Sequence, residues 1–521
     1  MTSPASTSPA SPRPASTTPA AAEPSAGTDG PTTVWRQLIL ARLHAGARFA
    51  GLFGTTEPDG CRVTALLSTP DGFDPLTVTV HPDGAGSGAL RYPSLSPQVP
   101  AAFWYERALH DLSGVLPVGH PRLDPLLLDI PDRAQAPLPG GPAPPVRLHP
   151  QEQAGPADVT GRGVFTIPFG PVRSGIVESI EFLIETPGED IPHLHIRPHY
   201  KHRGMAKAFE GRTVGDGVLV AERVEGIASV AHALAFSHAV EAITDTGVPA
   251  RAGLWRVVHA ELERIVNHLD VAVRLADAAG LGAATARFGW HKETAMRLVS
   301  RMCGNRFGRG VVIPGGVAAE PGLPEAQLAE EVTALHGRIA ADAAALMNTA
   351  SFLDRVRGTG RHDADRARIH GALGPVGRGS GYDDDDRRHR ARDGYPDLPL
   401  PVFDPAAARG DAMARLRVRW TEVDTSTGLI TAALQRLAGQ PGPLRAELSP
   451  GSGSALGWAE GPQGEELYSL ELQDGRIRRC FARSASLHNL VLLHDVFHGD
   501  VLTDFPFIEA SFGLCYAGVA M

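Results

Sequence analysis

Two long stretches of the chain place an apolar residue at every third or fourth position, which is the spacing of one face of an α-helix. The first covers residues 249–280, and the second covers residues 324–357. Their apolar stripes are, in order, Leu254, Val258, Leu262, Ile265, Leu269 and Val273, and then Leu328, Val332, Leu335, Ile339 and Leu346. A third candidate helix covers residues 413–437. Long amphipathic helices close together in the sequence predict an antiparallel bundle.

Short apolar runs of the kind found in β-strands lie on both sides of this helical region. Residues 164–167 and 176–184 are predicted strands, separated by a turn at Gly170-Pro171. A second β section is predicted at residues 466–479. Residues 161–521 are therefore predicted to form a mostly α-helical bundle domain with β-sheet at its start and end.

A smaller α/β domain is predicted ahead of this region, over residues 33–132. Its predicted elements are a helix at residues 34–43, strands at residues 62–67 and 76–80, and a helix that begins at Phe103. Residues 133–160 are rich in Pro and Gly and predict a linker. Residues 1–32 are mostly Ser, Thr, Pro and Ala and predict a disordered tail. The fold class predicted for the whole chain is α+β.

Composition narrows the possible functions. The 521 residues are 43% hydrophobic and 21% charged, which is ordinary for a globular protein. No apolar run is long enough to cross a bilayer, and a net charge of −9 argues against nucleic acid as a partner. The four cysteines form no C-x-x-C pair, so we expect no metal centre made by this chain alone. Sparse cysteine suits a reducing cytoplasm.

Six short motifs follow one another in the larger predicted domain. They are His202-Arg203-Gly204, Glu222-Arg223-Val224-Glu225-Gly226-Ile227-Ala228, Glu261-Leu262-Glu263-Arg264 with Asn267-His268-Leu269, Pro314-Gly315-Gly316-Val317, Gly374-Pro375 with Arg378-Gly379-Ser380-Gly381 and Asp385-Asp386-Arg387, and Glu460-Gly461-Pro462-Gln463-Gly464-Glu465. In this order they resemble the large subunit of energy-converting [NiFe] hydrogenases of the formate hydrogenlyase type. They also resemble its relative in complex I, the quinone-site subunit of the 49-kDa type.

The smaller domain carries a weaker resemblance. Glu106-Arg107 is followed by Asp111, Gly114 and then Gly119-His120-Pro121. This order resembles the 30-kDa-type subunit of complex I, which is fused ahead of the large subunit in formate hydrogenlyase. The chain is thus identified as a fused protein of the 30-kDa plus 49-kDa type.

The resemblance implies a metal centre whose ligands this chain has largely lost. The hydrogenases bind nickel and iron through two C-x-x-C pairs. Here the first pair is replaced by Glu225 and Ala228, and in the second pair only Cys515 remains, with Gly518 in place of its partner. Soft thiolates are what such a centre requires, so we expect no metal in this chain.

The quinone-site pattern is also changed. Arg173 stands where complex I relatives place a histidine, and Gly226 stands where they place a tyrosine. The resemblance therefore implies a refitted acceptor pocket in which Glu225 and Arg173 are the predicted catalytic residues. The residues expected along the cavity or the partner interface are His202, Arg203, Glu222, Arg223, Gly226, Arg378 and Cys515. The acidic run at residues 383–386 is expected to be solvated.

The resemblance implies a subunit of a membrane-associated respiratory or hydrogenase-like oxidoreductase complex. The expected partners are a small iron–sulfur subunit, which holds the cluster, and membrane-embedded antiporter-like subunits. The chain is expected at the cytoplasmic face of the membrane, as a peripheral protein, with quinone as a candidate acceptor. It has no G-x-G-x-x-G motif, so any NADH would bind another subunit. Two alternatives remain: a non-catalytic assembly subunit, and an active [NiFe] hydrogenase, which the lost cysteines oppose.

Overall fold

The computed structural model describes residues 30–83, 89–128, 163–173, 178–405, 408–497 and 499–521. The helices are α1 (Pro31–His44), α2 (Phe103–Ser113), α3 (Met205–Phe209), α4 (Val214–Ala221), α5 (Ser229–Thr244), α6 (Ala250–Ala278), α7 (Gly282–Cys303), α8 (Glu325–Leu346), α9 (Ala350–Val356), α10 (Ala364–His370), α11 (Gly374–Gly379), α12 (Asp386–His389), α13 (Ala412–Leu437), α14 (Ala485–Leu490), α15 (Phe505–Phe512) and α16 (Tyr516–Ala520). The strands are β1 (Arg48–Glu57), β2 (Gly60–Thr69), β3 (Gly72–Val80), β4 (Arg91–Pro93), β5 (Leu116–Val118), β6 (Phe165–Phe169), β7 (Glu181–Thr186), β8 (His193–Arg197), β9 (Val312–Ile313), β10 (Gly316–Val317), β11 (Gly453–Gly461), β12 (Gly464–Gln473) and β13 (Arg476–Arg483). The predicted α+β class is confirmed.

The N-terminal region is an antiparallel β1-β2-β3 sheet with α1 and α2 packed on it. The indole of Trp35 is buried under this sheet and donates a hydrogen bond to the Leu76 carbonyl oxygen at 2.9 Å. Helix α1 begins at Pro31, shortly before the predicted domain start. Strand β1 was missed by the sequence analysis. The remainder of the predicted tail and the whole of the predicted linker lie outside the described residues.

The centre of the molecule is a helical bundle in which α6 packs against α7 and α13, and α8 packs against α7 and α13. Every residue of the predicted α6 stripe except Val273 is buried, and so is the whole α8 stripe. The first and third predicted long helices are confirmed as α6 and α13, whereas the second is interrupted at residues 347–349 and consists of α8 and α9. Helix α7, which the sequence analysis missed, lies between α6 and α8 in the chain and completes the bundle.

Two three-stranded antiparallel sheets flank the bundle, β6-β7-β8 and β11-β12-β13. Helix α5 packs across β11 and β12. The strand predicted at residues 176–184 is β7, which begins at Glu181; residues 174–177 lie outside the described part. The β section predicted at residues 466–479 consists of two strands, β12 and β13.

The N-terminal region and the C-terminal segment share one apolar core. Trp104 of α2, Leu490 of α14 and Val519 of α16 belong to the same buried cluster. Polar contacts join the same regions, since the Arg48 guanidinium lies 2.6 Å from the Glu465 carboxylate. Of the helices in the described ranges, none combines the length and the apolar character that a membrane span requires.

Candidate functional site

A cleft of about 590 Å³ lies between α6, α7 and the residues that connect α4 to α5. Its wall includes Glu178, Gly226, Ile227, Glu263, Asn267 and Lys292. Gly226 is exposed, and a side chain added there would have its nearest neighbour, Arg309 Nη2, at 3.8 Å. The glycine therefore leaves open space in the wall of the cleft.

Glu225 is adjacent to this wall and is fully buried. The Ser484 hydroxyl donates a hydrogen bond to Glu225 Oε1. Burial raises the pKa of the Glu225 carboxyl to about 8, and the charge of Glu178 adds to the increase, while the hydrogen bond from Ser484 opposes it. The carboxyl is therefore mostly protonated at neutral pH.

Cys515 and Gly518 lie beside Glu225. The Cys515 thiol is 3.2 Å from Glu178 Oε1, and burial raises the pKa of this thiol well above its usual value. A Cβ atom added to Gly518 would overlap the Glu225 carboxyl and would lie 2.6 Å from Ser484 Oγ. The carboxyl of Glu225 thus occupies the space that a cysteine at position 518 would need.

The positions of the two family C-x-x-C pairs do meet in the folded chain. Ala228 is buried, and its backbone N–H lies 3.4 Å from the Glu225 carbonyl oxygen, within hydrogen-bonding reach. Among these four positions Cys515 supplies the one thiol. The residues present therefore do not fit a centre held by four thiolates.

His202 and Arg203 tie the segment before Glu225 to the C-terminal helix. Arg203 donates hydrogen bonds to the carbonyl oxygens of Val224 at 2.6 Å and Ala517 at 2.8 Å. His202 Nδ1 lies 2.7 Å from the Ala520 carbonyl oxygen, and burial lowers the pKa of its imidazole. Both predicted site residues therefore fix the backbone around Glu225, Cys515 and Gly518.

Glu222 and Arg223 differ in their exposure. Glu222 is buried and accepts a hydrogen bond from the Gly310 backbone N–H, and burial raises the pKa of its carboxyl. The Arg223 side chain is 53% exposed and lies 3.5 Å from Glu222. Arg223 is accessible to a partner, whereas Glu222 holds the loop that ends at Gly310.

Arg173 has partners of its own. Its guanidinium forms two hydrogen bonds to the Glu509 carboxylate, at 3.0 and 2.6 Å. The rings of Phe169 and Phe182 lie 4.8 and 4.9 Å from the guanidinium carbon. The Glu225 carboxyl, by contrast, is bound by Ser484. The two predicted catalytic residues thus have separate partners in the structure.

Arg378 lies at the centre of a buried network that joins three of the sequence motifs. It contacts Glu422 at 2.7 Å, Glu460 at 3.0 Å and Asp385 at 3.5 Å. Burial alone would raise the pKa of Glu422, but the charge of Arg378, together with His268, holds this pKa well below its usual value. Burial and the charge of Asp385 raise the pKa of Glu460 to about 7.

The same network continues into α6. Glu261 is fully buried, which alone would raise its pKa, but Arg264 and Arg387 lower this pKa to about 2. Arg387 also contacts Asp385 at 2.8 Å. The expectation that the acidic run 383–386 is solvated was wrong for Asp385 and Asp386, which are buried. Asp385 is paired with Arg387 and Arg378, whereas burial and the charge of Glu465 raise the pKa of Asp386 although Arg390 lies 2.5 Å away.

Several residues of this region were missed from the sequence. Ser484 and Glu178 bind Glu225 and Cys515, respectively, and neither belongs to one of the six motifs. Glu466 directly follows the Glu460–Glu465 motif, and His232 follows the Glu222–Ala228 motif by four residues. Their proximity to these motifs was a signal that the sequence offered.

Two family models match the chain. Residues 281–452 match the 49-kDa subunit of respiratory-chain NADH dehydrogenase, and residues 41–140 match the 30-kDa subunit of the same enzyme. The solved structure of the membrane-bound sulfane sulfur reductase, an archaeal respiratory membrane complex, contains a chain similar in fold. That chain has a TM-score of 0.64 and 24% identity, and the match covers 70% of this chain and 100% of that one.

Curated relatives point in the same direction. Formate hydrogenlyase subunit 5 of Escherichia coli K12 is 29% identical over 461 residues, which is 85% of this chain and 78% of the relative. NADH-quinone oxidoreductase subunit 4 of Thermus thermophilus is 32% identical over 54% of this chain and 68% of the relative. The chain therefore belongs to the family of the 49-kDa complex I subunit and the hydrogenase large subunits related to it, with a 30-kDa-type segment fused ahead.

Proposed function

We propose that this chain is a subunit of a membrane-associated oxidoreductase complex, respiratory or hydrogenase-like, and that it forms one wall of the acceptor cavity. The observation that carries the proposal is the 590 Å³ cleft, because its wall includes Gly226 and Ile227 of the Glu222–Ala228 motif. The relatives named above are subunits of hydrogenases and NADH-quinone oxidoreductases. In this proposal the partners are a small iron–sulfur subunit and membrane-embedded antiporter-like subunits, and the chain lies at the cytoplasmic face.

The cleft offers the chemistry that an acceptor such as a quinone needs. Reduction of a quinone to a quinol takes two electrons, which the partner's iron–sulfur cluster supplies, and two protons. Glu263 lines the cleft, and burial raises the pKa of its carboxyl to about 8 against the opposing hydrogen bonds from the backbone N–H groups of Val230 and Ala231. In this proposal Glu263 supplies one of the two protons, and solvent that reaches the cleft supplies the other. The open space at Gly226 admits a bulkier head group than a tyrosine at that position would. A catalytic role for Glu225 and Arg173 remains a prediction.

The proposal includes no [NiFe] centre in this chain. Cys515 is the one thiol where the family's two cysteine pairs meet, and the Glu225 carboxyl fills the space beside Gly518. In this proposal the chain binds no redox cofactor of its own, and the electrons come from the partner subunit.

A second candidate function is that of a non-catalytic assembly subunit. The observation that favours it is the bidentate ion pair of Arg173 with Glu509, because this pair uses the charge that was expected to polarise an acceptor. Under this function the family interfaces persist while the acceptor reaction is lost.

One experiment separates the two functions. The tagged chain is isolated from membranes of the source organism, co-purifying subunits are identified, and electron transfer to a quinone is measured. Gly226→Tyr is compared with Gly337→Tyr, because both glycines are exposed and both have open space for a side chain. We expect Gly226→Tyr to lower turnover or raise KM about tenfold or more, and Gly337→Tyr to leave both unchanged.

Three other outcomes of this experiment would count against one or both functions. Equal kinetics for the two variants would show that the cleft is not the acceptor site. An assembled parent complex without any turnover would support the assembly function. Isolation of the chain without an iron–sulfur subunit would contradict both.

A further inference from the structure

Three buried side chains meet beside Cys515 and Gly518. Only one of the three, Glu225, occupies a cysteine position of the family. Glu225 precedes α5, His232 lies in the first turn of α5, and Glu466 lies on β12. One ligand atom from each of the three lies within 4.8 Å of the others, and all three residues are 0% exposed. Because they come from different elements, they join the wall of the cleft to the β11-β12-β13 sheet.

Two polar atoms of this group have no hydrogen-bond partner among the described residues although they are buried. They are Glu225 Oε2 and His232 Nε2. The opposite edge of each side chain is bound: Ser484 donates to Glu225 Oε1, and His232 Nδ1 lies 3.0 Å from the Tyr468 hydroxyl oxygen. An unpaired buried polar atom is costly, because it has lost its hydrogen bonds to water without replacing them. Side chains that bind a metal ion are typically oriented by a hydrogen bond at one of their polar atoms, while the other polar atom is left free for the ion.

The separation of two of the three ligand atoms suits a small cation. His232 Nε2 and Glu466 Oε2 are 3.5 Å apart. Two ligands of a tetrahedral Zn²⁺ ion at ordinary bond lengths lie about 3.4 Å apart.

We propose that Glu225, His232 and Glu466 bind one divalent transition-metal ion, and that this ion is Zn²⁺. One imidazole nitrogen and two carboxylate oxygens are suitable zinc ligands, with a fourth position left for water. Mg²⁺ and Ca²⁺ require six or more oxygen ligands, which this group does not supply. On binding, the ion displaces the protons that the two buried carboxyls carry and balances the negative charges that result, in a fully enclosed site where unpaired charges are costly. This proposal departs from the expectation, drawn from the cysteines, that the chain holds no metal.

The site differs from the [NiFe] centre of the hydrogenases in its ligands and chemistry. Only position 225 is shared, and the Cys515 thiol is directed to Glu178. The proposed ion fixes the loop that carries Gly226 against β12, and so keeps the wall of the cleft in place. This role does not depend on the oxidoreductase proposal.

Metal analysis of the full-length chain tests the proposal. The chain carries a tag without histidines, is purified without chelator, and is analysed for zinc, manganese, iron, cobalt and nickel by mass spectrometry. It is then stripped and titrated with Zn²⁺ against a chromophoric chelator. We expect about one zinc per chain, and a rise in Tm when Zn²⁺ is restored.

The variants identify the ligands. His232→Gln and Glu466→Gln should each weaken Zn²⁺ binding about 100-fold or more. The matched control is His259→Gln, because His259 is also a buried histidine but does not belong to the group. Cys515→Ser should bind zinc like the parent chain.

Three results would overturn the proposal. The first is a parent chain that neither contains nor binds zinc, because the carboxyls would then be sharing protons instead. The second is loss of zinc in Cys515→Ser, which would place the ion on the thiol. The third is equal zinc binding by His232→Gln and His259→Gln. The parent titration decides the matter even if a variant fails to fold.

Discussion

The close approach of Gly518 to Glu225 makes a sharp prediction about a single methyl group. Gly518 lies in α16 with an ordinary helical backbone, so alanine there should stabilise the helix by about 0.5–1 kcal/mol. The new Cβ atom would instead overlap the Glu225 carboxyl and approach Ser484 Oγ to 2.6 Å. We therefore expect Gly518→Ala to destabilise the chain.

The magnitude follows from the packing. Ordinary contacts between a carbon and its neighbours are about 3.5–4.0 Å, so the carboxyl must move by more than an ångström in a fully buried site. Overpacking of this kind costs about 1–3 kcal/mol. Replacing Glu225 with alanine removes the nearer obstacle, and the Ser484 hydroxyl, which then has no carboxyl to bind, can rotate away from the new methyl group. In the Glu225→Ala background, Gly518→Ala should therefore be neutral or stabilising by up to about 1 kcal/mol.

The assay is a double-mutant cycle on the apparent free energy of unfolding, measured by urea denaturation followed by circular dichroism. Buffers contain a chelator, so that metal binding does not contribute to any of the four chains. The coupling energy between positions 225 and 518 should be about 1–3 kcal/mol. An equal effect of Gly518→Ala in the two backgrounds would refute the idea that the Glu225 carboxyl fills the space beside Gly518.

Three further predictions follow from the structure. Arg378→Met should lower the free energy of unfolding by about 3–5 kcal/mol, because it leaves Glu422 without its main cation. The control, Arg417→Met at an exposed position of α13, should change this free energy by less than about 0.5 kcal/mol. Urea denaturation compares the two variants. Burial lowers the pKa of His259 to about 4, so between pH 6.5 and 4 the unfolded chain binds more protons than the folded chain, and stability falls as the pH falls. His259→Leu should remove up to about 2 kcal/mol of the stability lost between pH 7 and pH 5, as measured by unfolding curves at the two pH values. Elemental analysis should find no nickel, and about one nickel per chain would contradict the assignment of the lost ligands.

The sequence predicted the long helices because their buried faces are made of large aliphatic residues at regular spacing. Helix α7 was missed for the opposite reason. Its buried face includes His291, Ala295 and Met296, and charged residues such as Lys292 and Glu293 lie between them. Strand β1 was missed because it is rich in Gly and Thr, which weaken the apolar signal.

The motifs indicated that Glu225 and Cys515 belong to the site, but they did not reveal which side chains contact the predicted site residues. The partner of Arg173 is Glu509, which lies 336 residues further along the chain. Nothing local to either residue indicates this pairing, because it depends on where the β6-β7-β8 sheet meets α15. Asp385 was misjudged for a different reason. Its partners Arg387 and Arg378 are only two and seven residues away, but the sequence does not show that all three side chains are buried in the network.

The buried charge network also determines when the protein can complete its folding. Arg264 donates hydrogen bonds to the carbonyl oxygens of Glu460 and Gly461, which lie 196 and 197 residues further along the chain. During synthesis the bundle helix α6 leaves the ribosome long before these partners exist. Arg264 can pair with Glu261 of the same helix, but its other donors must remain in water until residues 460 and 461 have been made. Contacts of this sequence separation are slow to form, and the exposed intermediate is prone to aggregate. We therefore expect the bundle to complete its folding only after residue 461 has been synthesised.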